Sequence, residues 1–404
     1  MATDWTDNRK NLMLFSGRAH PELAEQVAKE LDVAVTAQTA RDFANREIEP
    51  KAAELDKTGR WPTEIVARMA ELGFLGLAIP PELGGAGLDN VCYALVIEEL
   101  SRACASCGVI ASVNNSLFCD PLYKFGSEWQ KSEILAPTAA GKVLGAFGLT
   151  EPTSGSDART MKTIGEKQAD GSWLLNGSKN FITVGPEADH LIVFAITHQD
   201  PVKPRHTALI VHKDMAGYSV APHDEKLGIH AAHSCTIFFD NVKVPRDHQL
   251  GEEGKGFNVA MATLDGGRIG IAAQAVGIAR AAFEKAVAYS KERYSFGGPI
   301  ADLQAIQHMI ADMATEIDAA RLLILRAAGM KDKGVRHSAE SAVAKLYASE
   351  MSTRVTHKAL QVHGGYGYTT EFGVERHYRD ARITEIYEGT SEIQRLVIAA
   401  SLLS

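Results

Sequence analysis

The sequence predicts a multidomain α+β protein: a helical N-terminal domain, a middle β-domain of sandwich- or barrel-like form, and a C-terminal four-helix bundle. Apolar residues recur at helical spacing in the first and last thirds of the chain. Between them lie short β-branched and aromatic runs separated by Gly, Asn, Asp and Pro. A chain of 404 residues has room for two or three domains of ordinary size.

The N-terminal helical domain is predicted at 40–144. Its helices include 39–57, TEIVARMAELG and NVCYALVIEELSRAC, in which apolar residues lie at i, i+3 and i+4. Pro62 suits the first turn of the second of these helices, where a proline loses no helical hydrogen bond. The Pro- and Gly-rich segment PPELGGAGLD is predicted to be a connection.

The middle β-domain is predicted at 145–253. Its strands are SWLLNGSKNFITV, HLIVFAIT, HTALIVHK, YSVAP and CTIFFDNVKVP. The C-terminal domain is predicted at 254–404. There, three long helices with apolar stripes and a closing helix, SEIQRLVIAASLL, are typical of a four-helix bundle.

Composition excludes several classes of protein. With 45% apolar and 23% charged residues, the chain is neither disordered nor a disulfide-stapled miniprotein. No apolar run is long enough for a membrane span, and a net charge of -8 argues against binding nucleic acid. Five thinly spread cysteines favour a reducing, cytoplasmic location. For Cys104 and Cys107, core packing is favoured over a metal or redox role, so no metal is expected.

Two segments carry residue types suited to a planar, phosphate-bearing ligand. In GAFGLTEPTSGSDA, Phe147 and Leu149 lie beside hydroxyl residues and a carboxylate, which suits the rim of a ring cofactor better than a plain linker. In ERYSFGGPIADLQAIQ, Arg293 can pair with phosphate and Phe296 can pack on a base. The alternatives are a domain linker for the first segment and a helix-capping hairpin for the second.

A third segment, 361–395, contains the candidate base. Its glycines allow close backbone approach to a ligand. Glu388 follows Ile386 and Tyr387 and precedes a helix that Thr390 or Ser391 can cap. A carboxylate beside apolar groups has its pKa raised by desolvation and can act as a general base. The alternative is a solvated surface charge.

Taken together, these segments resemble the acyl-CoA dehydrogenase family, in particular its short-chain, butyryl-CoA dehydrogenase-like members, over about 40–404. The motifs LTEPxxGSD, NGxKxFIT, ERxxFG, QxxGGxGY and IYEGTSEIQR occur in the family's order and spacing. The resemblance implies FAD-dependent oxidation of a short-chain acyl-CoA to a trans-2-enoyl-CoA, with Glu388 removing the α-proton and flavin N5 accepting the β-hydride. It also implies a homotetramer that passes electrons to an electron-transfer flavoprotein, in fatty acid β-oxidation or amino acid degradation.

The resemblance also implies the site residues. Those expected to contact FAD in their own subunit are Phe147, Leu149, Thr150, Phe181, Thr183, Thr390 and Glu392. Those expected to reach the FAD of a neighbouring subunit are Arg293, Ser295, Phe296, Gln304, Gln361 and Gly365. Those expected at the acyl-CoA are Ser156, Asp265, Arg268, Tyr387 and Gly389. Some family members carry their base just before the arginine of this set; Gly267 stands there instead, which favours Glu388.

The chain departs from the family at a few positions. His230, Ala232 and Ser234 replace an Arg, a Ser and a Thr, while Val184 replaces an Asn and Gly373 a Pro. The larger departure is an atypical N-terminal segment, 1–39, because 4–48 resembles the start of a ribose-phosphate pyrophosphokinase. There LMLFSG and DVAV are predicted strands around a helix, HPELAEQVAKEL.

Several alternatives remain open. The N-terminal segment is either a junction, natural or from sequence assembly, or a genuine extension; it confers no kinase activity, because the later phosphate- and metal-binding segments of that enzyme are absent. The substrate is a straight short acyl chain, with branched short chains second. The other functions considered are a same-fold acyl-CoA oxidase and a non-catalytic binding member of the fold, which would need an added basic domain.

Overall fold

A computed structural model describes residues 36–198, 200 and 205–403. Helices come first, strands follow, and helices return, so the predicted three-part α, β, α architecture is confirmed. The strand–helix–strand predicted for the first 35 residues lies outside the described residues, and the exact domain bounds stay a prediction. In the part of the chain described here, no helix is both long and apolar enough to span a bilayer.

The first helical part packs around one apolar core. Its helices are α1 (36–43), α2 (Ala52–Thr58), α3 (Thr63–Glu71), α4 (Asn90–Ala103), α5 (Ala105–Ser112), α6 (Asp120–Phe125), α7 (Glu128–Gln130) and α8 (Ala136–Ala139). Helix α4 begins where the Asp89 side chain accepts a hydrogen bond of 2.8 Å from the Cys92 N–H, an N-cap. A wider π-helical turn, Val113–Cys119, joins α5 to α6. Pro62 is the N-cap of α3, one residue earlier than predicted.

The strands form one connected sheet and a small hairpin. They are β1 (Gly145–Gly148), β2 (Ile164–Lys167), β3 (Trp173–Thr183), β4 (His190–His198), β5 (Arg205–His212), β6 (Tyr218–Val220), β7 (Ser234–Val244), β8 (Gln249–Leu250), β9 (Tyr294–Ser295) and β10 (Gly298–Pro299). The sheet order is β6-β7-β3-β2-β4-β5-β8, and β1 pairs parallel to β4. A single bridge, Ile164 to Ile196, joins its two halves.

Strands β4 and β5 are buried on both faces, which positions the sheet between two cores. Leu191 and Val193 pack in the core shared with β3 and β7. Ile192 and Phe194 point the other way and pack with Phe118 and the neighbouring helices. The run HLIVFAIT is therefore continuously apolar, as expected for a strand covered on both sides.

The C-terminal part is built around one long helix. The three predicted long helices are confirmed as α9 (Gly256–Glu292), α10 (Gln304–Asp332) and α11 (Ser338–His363), and the predicted closing helix as α13 (Ser391–Leu403), with a short α12 (Val374–Ala381) in addition. All residues from Gly266 to Ala279 are buried, because α9 is packed by α4, α5, α10 and α11. Its GGRIGIAAQAVGIA stretch is rich in small residues, and this allows close packing on every side.

Two of the departures from the family pattern have unusual backbone conformations. Val184 has φ +65°, a left-handed conformation that strains a β-branched residue. Gly373 has φ +63°, which a proline cannot adopt because its ring fixes φ near -65°. His230 lies with Nδ1 2.8 Å from the Asp56 carbonyl oxygen and Nε2 2.8 Å from that of Lys226, so it links the sheet region to α2.

A buried ion network ties α4 to α9 and α10. Arg280 Nη1 lies 2.7 Å from Glu98 Oε1 and 2.8 Å from Glu99 Oε1. Arg321 also donates to Glu98, at 3.0 Å from Nε to Oε2. Burial alone would raise the pKa of Glu99, but hydrogen bonds from Arg280 and Arg41 outweigh it and lower that pKa to about 2. Glu99 therefore stays ionised inside the fold.

Replacing Arg280 with Met is expected to destabilise the protein by about 3 kcal/mol, because two buried carboxylates lose their shared partner. The measurement is the midpoint of thermal unfolding. Arg326→Met is the matched control: its side chain is 61% exposed and its pair with Glu340 spans 3.2 Å, so a change below about 1 kcal/mol is expected. Equal midpoints for the two variants would contradict a structural role for the network.

Candidate active site

A cavity of ≈ 330 Å³ lies where the three parts of the chain meet. Its walls come from α5 and the following π-turn, from β1 and β3, from α9, and from the turn before α13. The sequence-predicted residues that line it are Phe147, Leu149, Thr150, Ser156, Phe181, Thr183, Arg268, Tyr387, Glu388 and Gly389. Four segments distant in sequence thus converge on one cavity.

Glu388 projects from the turn onto the bare backbone of α9. Its Oε2 is buried and has no hydrogen-bond partner among the described residues. A Cβ added to Gly267 would lie 2.2 Å from that oxygen, closer than real Cβ atoms come. The position that Gly267 leaves vacant is therefore filled by the Glu388 carboxylate. A side chain there and the carboxylate in its present place exclude each other.

The surroundings of Glu388 bring the pKa of its carboxyl close to neutral pH. Burial raises the pKa of this carboxyl to about 7, and the charges of Lys345 and Arg268 oppose that rise. The prediction from the sequence that desolvation raises the pKa of Glu388 agrees with this value. The alternative, a solvated surface charge, does not agree with it. A carboxylate with such a pKa suits general base catalysis at neutral pH.

The turn that carries Glu388 is held by buried polar side chains. Gln394 on α13 donates from Nε2 to the carbonyl oxygens of Glu388 and Gly389, at 3.2 and 2.9 Å. Tyr387 donates its hydroxyl hydrogen bond to Gln274 on α9. Lys345 on α11 donates to the Gly389 carbonyl at 2.7 Å. Sequence reasoning missed Gln274, Gln394 and Lys345, whose only signal is a polar residue inside an apolar helical stripe.

Arg268 and Asp265 form a pair beside the cavity, with different positions. Arg268 is 4% exposed, lines the cavity and leaves its Nε without a partner among the described residues. Asp265 is not part of the wall; its Oδ1 accepts from Arg268 Nη1 at 2.6 Å, and its other oxygen accepts from Ser338. Asp265 therefore orients the arginine from behind, and unlike the other residues expected at the acyl-CoA it is not part of the cavity wall.

The part of the cavity wall formed by β3 and the 145–158 segment presents an exposed ring and hydroxyl groups. Phe181 is 65% exposed and has φ +56°, at the point where the pairing of β3 with β7 shifts register. Thr150 and Thr183 line the cavity beside it. The 145–158 segment is thus part of the site wall rather than a plain linker.

A buried ion pair that sequence reasoning missed supports this wall. Lys179 is fully buried, and its Nζ lies 2.7 Å from Glu151 Oε1 and 3.3 Å from the Leu149 carbonyl oxygen. Glu151 also accepts from the Thr163 N–H at 3.0 Å. The Glu of the LTEP motif therefore braces the loop from within, which its position in the motif alone did not indicate.

The residues predicted to hold the second half of the cofactor lie away from the cavity. Arg293, Ser295, Phe296, Gln304, Gln361 and Gly365 do not line it. From Gly267 to the end of α9 the distance is about 37 Å along the helix. At that far end the Arg293 guanidinium lies 5.8 Å from the Tyr366 ring centroid, which brings the hairpin and the glycine-rich turn together. Phe296 is 92% exposed, with φ +55°.

Two predicted residues next to the base are also outside the cavity wall. Thr390 accepts from the Ile393 N–H at 3.4 Å and so caps α13. Glu392 is exposed in the first turn of that helix.

The five cysteines are free and buried, and no group of three or more His, Cys, Asp or Glu side chains within the described residues can hold a metal ion.

Comparison with known proteins identifies the family of this chain. The family profiles "Acyl-CoA dehydrogenase, N-terminal domain", "middle domain" and "C-terminal domain" match residues 33–142, 146–242 and 254–403. The "Short-chain specific acyl-CoA dehydrogenase, mitochondrial" of Rattus norvegicus is 50% identical over 366 residues, which cover 91% of this chain and 89% of the relative.

Solved structures of acyl-CoA dehydrogenases have a similar fold. Butyryl-CoA dehydrogenase from Megasphaera elsdenii has a TM-score of 0.90 at 43% identity, covering 92% of this chain and 98% of the other. An acyl-CoA dehydrogenase complexed with FAD from Bacillus anthracis has a TM-score of 0.86 at 34% identity, covering 92% and 66% of the two chains. The chain therefore belongs to the acyl-CoA dehydrogenase family.

Proposed function

We propose that this protein oxidises short-chain acyl-CoA thioesters to trans-2-enoyl-CoA with FAD as cofactor, and that Glu388 removes the α-proton. The observation that carries the proposal is the buried, unpartnered carboxylate of Glu388 on the wall of the cavity. A base without a competing partner is available to a proton of the ligand. Among the described residues, Asp157 is the one other carboxylate residue that lines the cavity, and it is exposed to solvent.

The part of the cavity wall formed by β3 and the 145–158 segment fits a flavin. The Phe181 ring offers an apolar face, and the hydroxyls of Thr150 and Thr183 offer hydrogen bonds to ring heteroatoms. When bound, FAD supplies an acceptor for the β-hydride of the acyl group and passes the electrons on to an electron-transfer flavoprotein. The FAD complex of the Bacillus anthracis relative supports the same cofactor here.

A second subunit is proposed to supply residues that hold the FAD diphosphate and adenosine. Arg293 and Phe296 stand at the far end of α9, beside the glycine-rich turn of the QVHGGYGY segment. Because one chain cannot bring them to its own cavity, we infer that they hold the FAD of a neighbouring copy, together with Ser295, Gln304, Gln361 and Gly365. A homotetramer built as a dimer of dimers is part of this proposal. Thr390 and Glu392 would contact FAD in their own subunit.

The chain's own residues can polarise and deprotonate the thioester. The N–H of Glu388 donates to no described residue, so it is free to donate to the thioester carbonyl and stabilise the developing enolate. The carboxylate then takes the α-proton. Tyr387 and Gly389 flank the thioester, and apolar walls exclude water that would compete for the base. Ser156 and Arg268 are proposed to contact the CoA part.

A short straight acyl chain is the proposed substrate, with branched short chains second. Val109, Val113 and Leu117 of α5 and its π-turn close the apolar side of the cavity and limit the length of an acyl group. The short-chain specificity in the name of the rat relative supports this choice. A same-fold oxidase remains the second candidate and differs in passing electrons to oxygen. The cytoplasmic location, inferred from cysteine usage, stays a prediction.

The purified protein is expected to be yellow and to bleach anaerobically with butyryl-CoA, more slowly with isobutyryl- or isovaleryl-CoA, and least with octanoyl-CoA. Glu388→Gln is expected to keep its flavin spectrum but lose bleaching, by about 10²-fold or more, because the base is gone. The measurement is stopped-flow absorbance of the flavin. A wild-type protein that no acyl-CoA bleaches would sink the proposed function, and normal bleaching of the variant would refute the assigned base. Rapid reoxidation of the reduced protein by oxygen would favour the oxidase.

The rate of flavin reduction should depend on pH through Glu388. A base must be deprotonated to act, and burial raises the pKa of this carboxyl to about 7. The kcat/KM should therefore rise with pH, with a half-point near that value, and be lost below it. A profile that is flat from about pH 5 to pH 9 would contradict the assignment.

Gly267→Ala tests the contact between the base and α9. The added Cβ would lie 2.2 Å from Glu388 Oε2 and so displace the carboxylate. A loss of about 10²-fold in kcat is expected, since displacements of the order of 1 Å have such effects. Gly329→Ala, on α10 with nothing within 4 Å of the new Cβ, is the matched control and should keep full activity. Equal kcat for the two variants would argue against close packing at this contact.

A further inference from the structure

A buried lysine lies behind the turn that carries the base. Lys345, in the middle of α11, has 0% exposure in an otherwise apolar stretch, AVAKLYA. Its Nζ donates to the Gly389 carbonyl oxygen at 2.7 Å, so its hydrogen bond goes to a backbone oxygen rather than to a carboxylate. Removing an ammonium from water is unfavourable, and such a group is normally paired with a charge. The placement of this one therefore calls for a local reason.

The geometry of the turn supplies the first part of that reason. Glu388 has φ +51° and Gly389 has φ +93°, so two consecutive residues have left-handed backbone. A non-glycine residue in this conformation is held there by its surroundings. The Gly389 carbonyl is fixed from two sides, by Lys345 of α11 and by Gln394 of α13, which donates to it at 2.9 Å.

Charge supplies the second part. Burial lowers the pKa of Lys345 to about 8, and the negative charge of Glu388 is the largest influence opposing that shift. Conversely, Lys345 and Arg268 are the two cations that favour the ionised form of Glu388, and Lys345 has the larger effect. The other charged groups that act on Lys345 are Arg268 on α9, Glu385 on the turn after α12, and Glu392 on α13.

We propose that Lys345 is a positioning residue for the general base: its ammonium fixes the Gly389 carbonyl, and hence the turn that aims Glu388 at the cavity, and its charge favours the carboxylate form of Glu388. This inference rests on the proposed function, since it concerns how the same base is oriented and kept ionised. It adds a residue that does not line the cavity.

Lys345→Met tests the proposal, because methionine keeps most of the side-chain volume and Gln394 still donates to the Gly389 carbonyl. The flavin spectrum should be retained. The rate of flavin reduction should fall about 10- to 100-fold, with KM changed by less than about 3-fold, because the base is misplaced rather than the substrate lost. The acidic limb of the pH profile should move up by about one pH unit, since a neighbouring positive charge is gone.

Two further variants separate the contributions. Lys345→Gln keeps a hydrogen-bond donor without the charge, so it should recover part of the rate but keep the shifted pH limb. Lys358→Met, on the same helix, removes a partly exposed lysine that pairs with Asp312 at 3.2 Å and Glu316 at 3.3 Å. It is the matched control and should behave as wild type in rate and pH profile.

A measurement that does not depend on turnover is the infrared carboxyl band of Glu388, identified by its absence in Glu388→Gln. In Lys345→Met this band should persist to higher pH than in wild type. Unchanged rate and titration in a wild-type-like fold would overturn the proposal. A lower thermal midpoint with an unshifted titration would assign Lys345 a purely structural role and overturn it as well. If wild type itself fails to bleach, the proposed function fails instead.

Discussion

The contact between the Glu388 carboxylate and the bare backbone of α9 at Gly267 is the constraint on which the site depends. The carboxylate can lie there only because the helix has no side chain at that position. The same helix is buried from Gly266 to Ala279, so its small residues also let neighbouring helices approach closely. The choice of small residues on α9 thus serves both the packing of the C-terminal part and the placement of the base.

Buried charges around this helix fall into two groups with different consequences. Glu98 and Glu99 meet Arg280 and Arg321 in direct ion pairs, which lock α4, α9 and α10 together. Glu388 has no such direct partner, and its carboxyl pKa stays high because burial outweighs the cations around it. A direct ion pair would keep a carboxylate ionised, but its oxygens would be bound to the partner. A carboxylate whose burial is only partly offset by nearby cations is free to take a proton from a ligand.

The length of α9 also separates the two halves of the proposed cofactor site. The base, Phe181 and the hydroxyl residues gather near one end, while Arg293 and Phe296 stand at the other. Since the helix is rigid, one chain cannot fold these groups onto the same ligand. In the proposed assembly, the far end of α9 in one copy would reach the FAD bound in the cavity of a neighbouring copy. The exposed Phe296 ring would then contact a ligand that its own chain cannot bring to it.

Sequence alone determined the order of helices and strands, because apolar periodicity reports which face of an element is buried. It also identified the family, and it indicated Glu388 as the candidate base, through motifs whose order and spacing are specific. It did not identify Lys345, Gln394 or the Lys179–Glu151 pair, because a single polar residue in a helix or strand is usually solvated and its burial depends on distant segments. The left-handed backbone of Phe181 and Glu388 was likewise decided by tertiary structure, since neither residue type favours that conformation and only the surrounding contacts hold it.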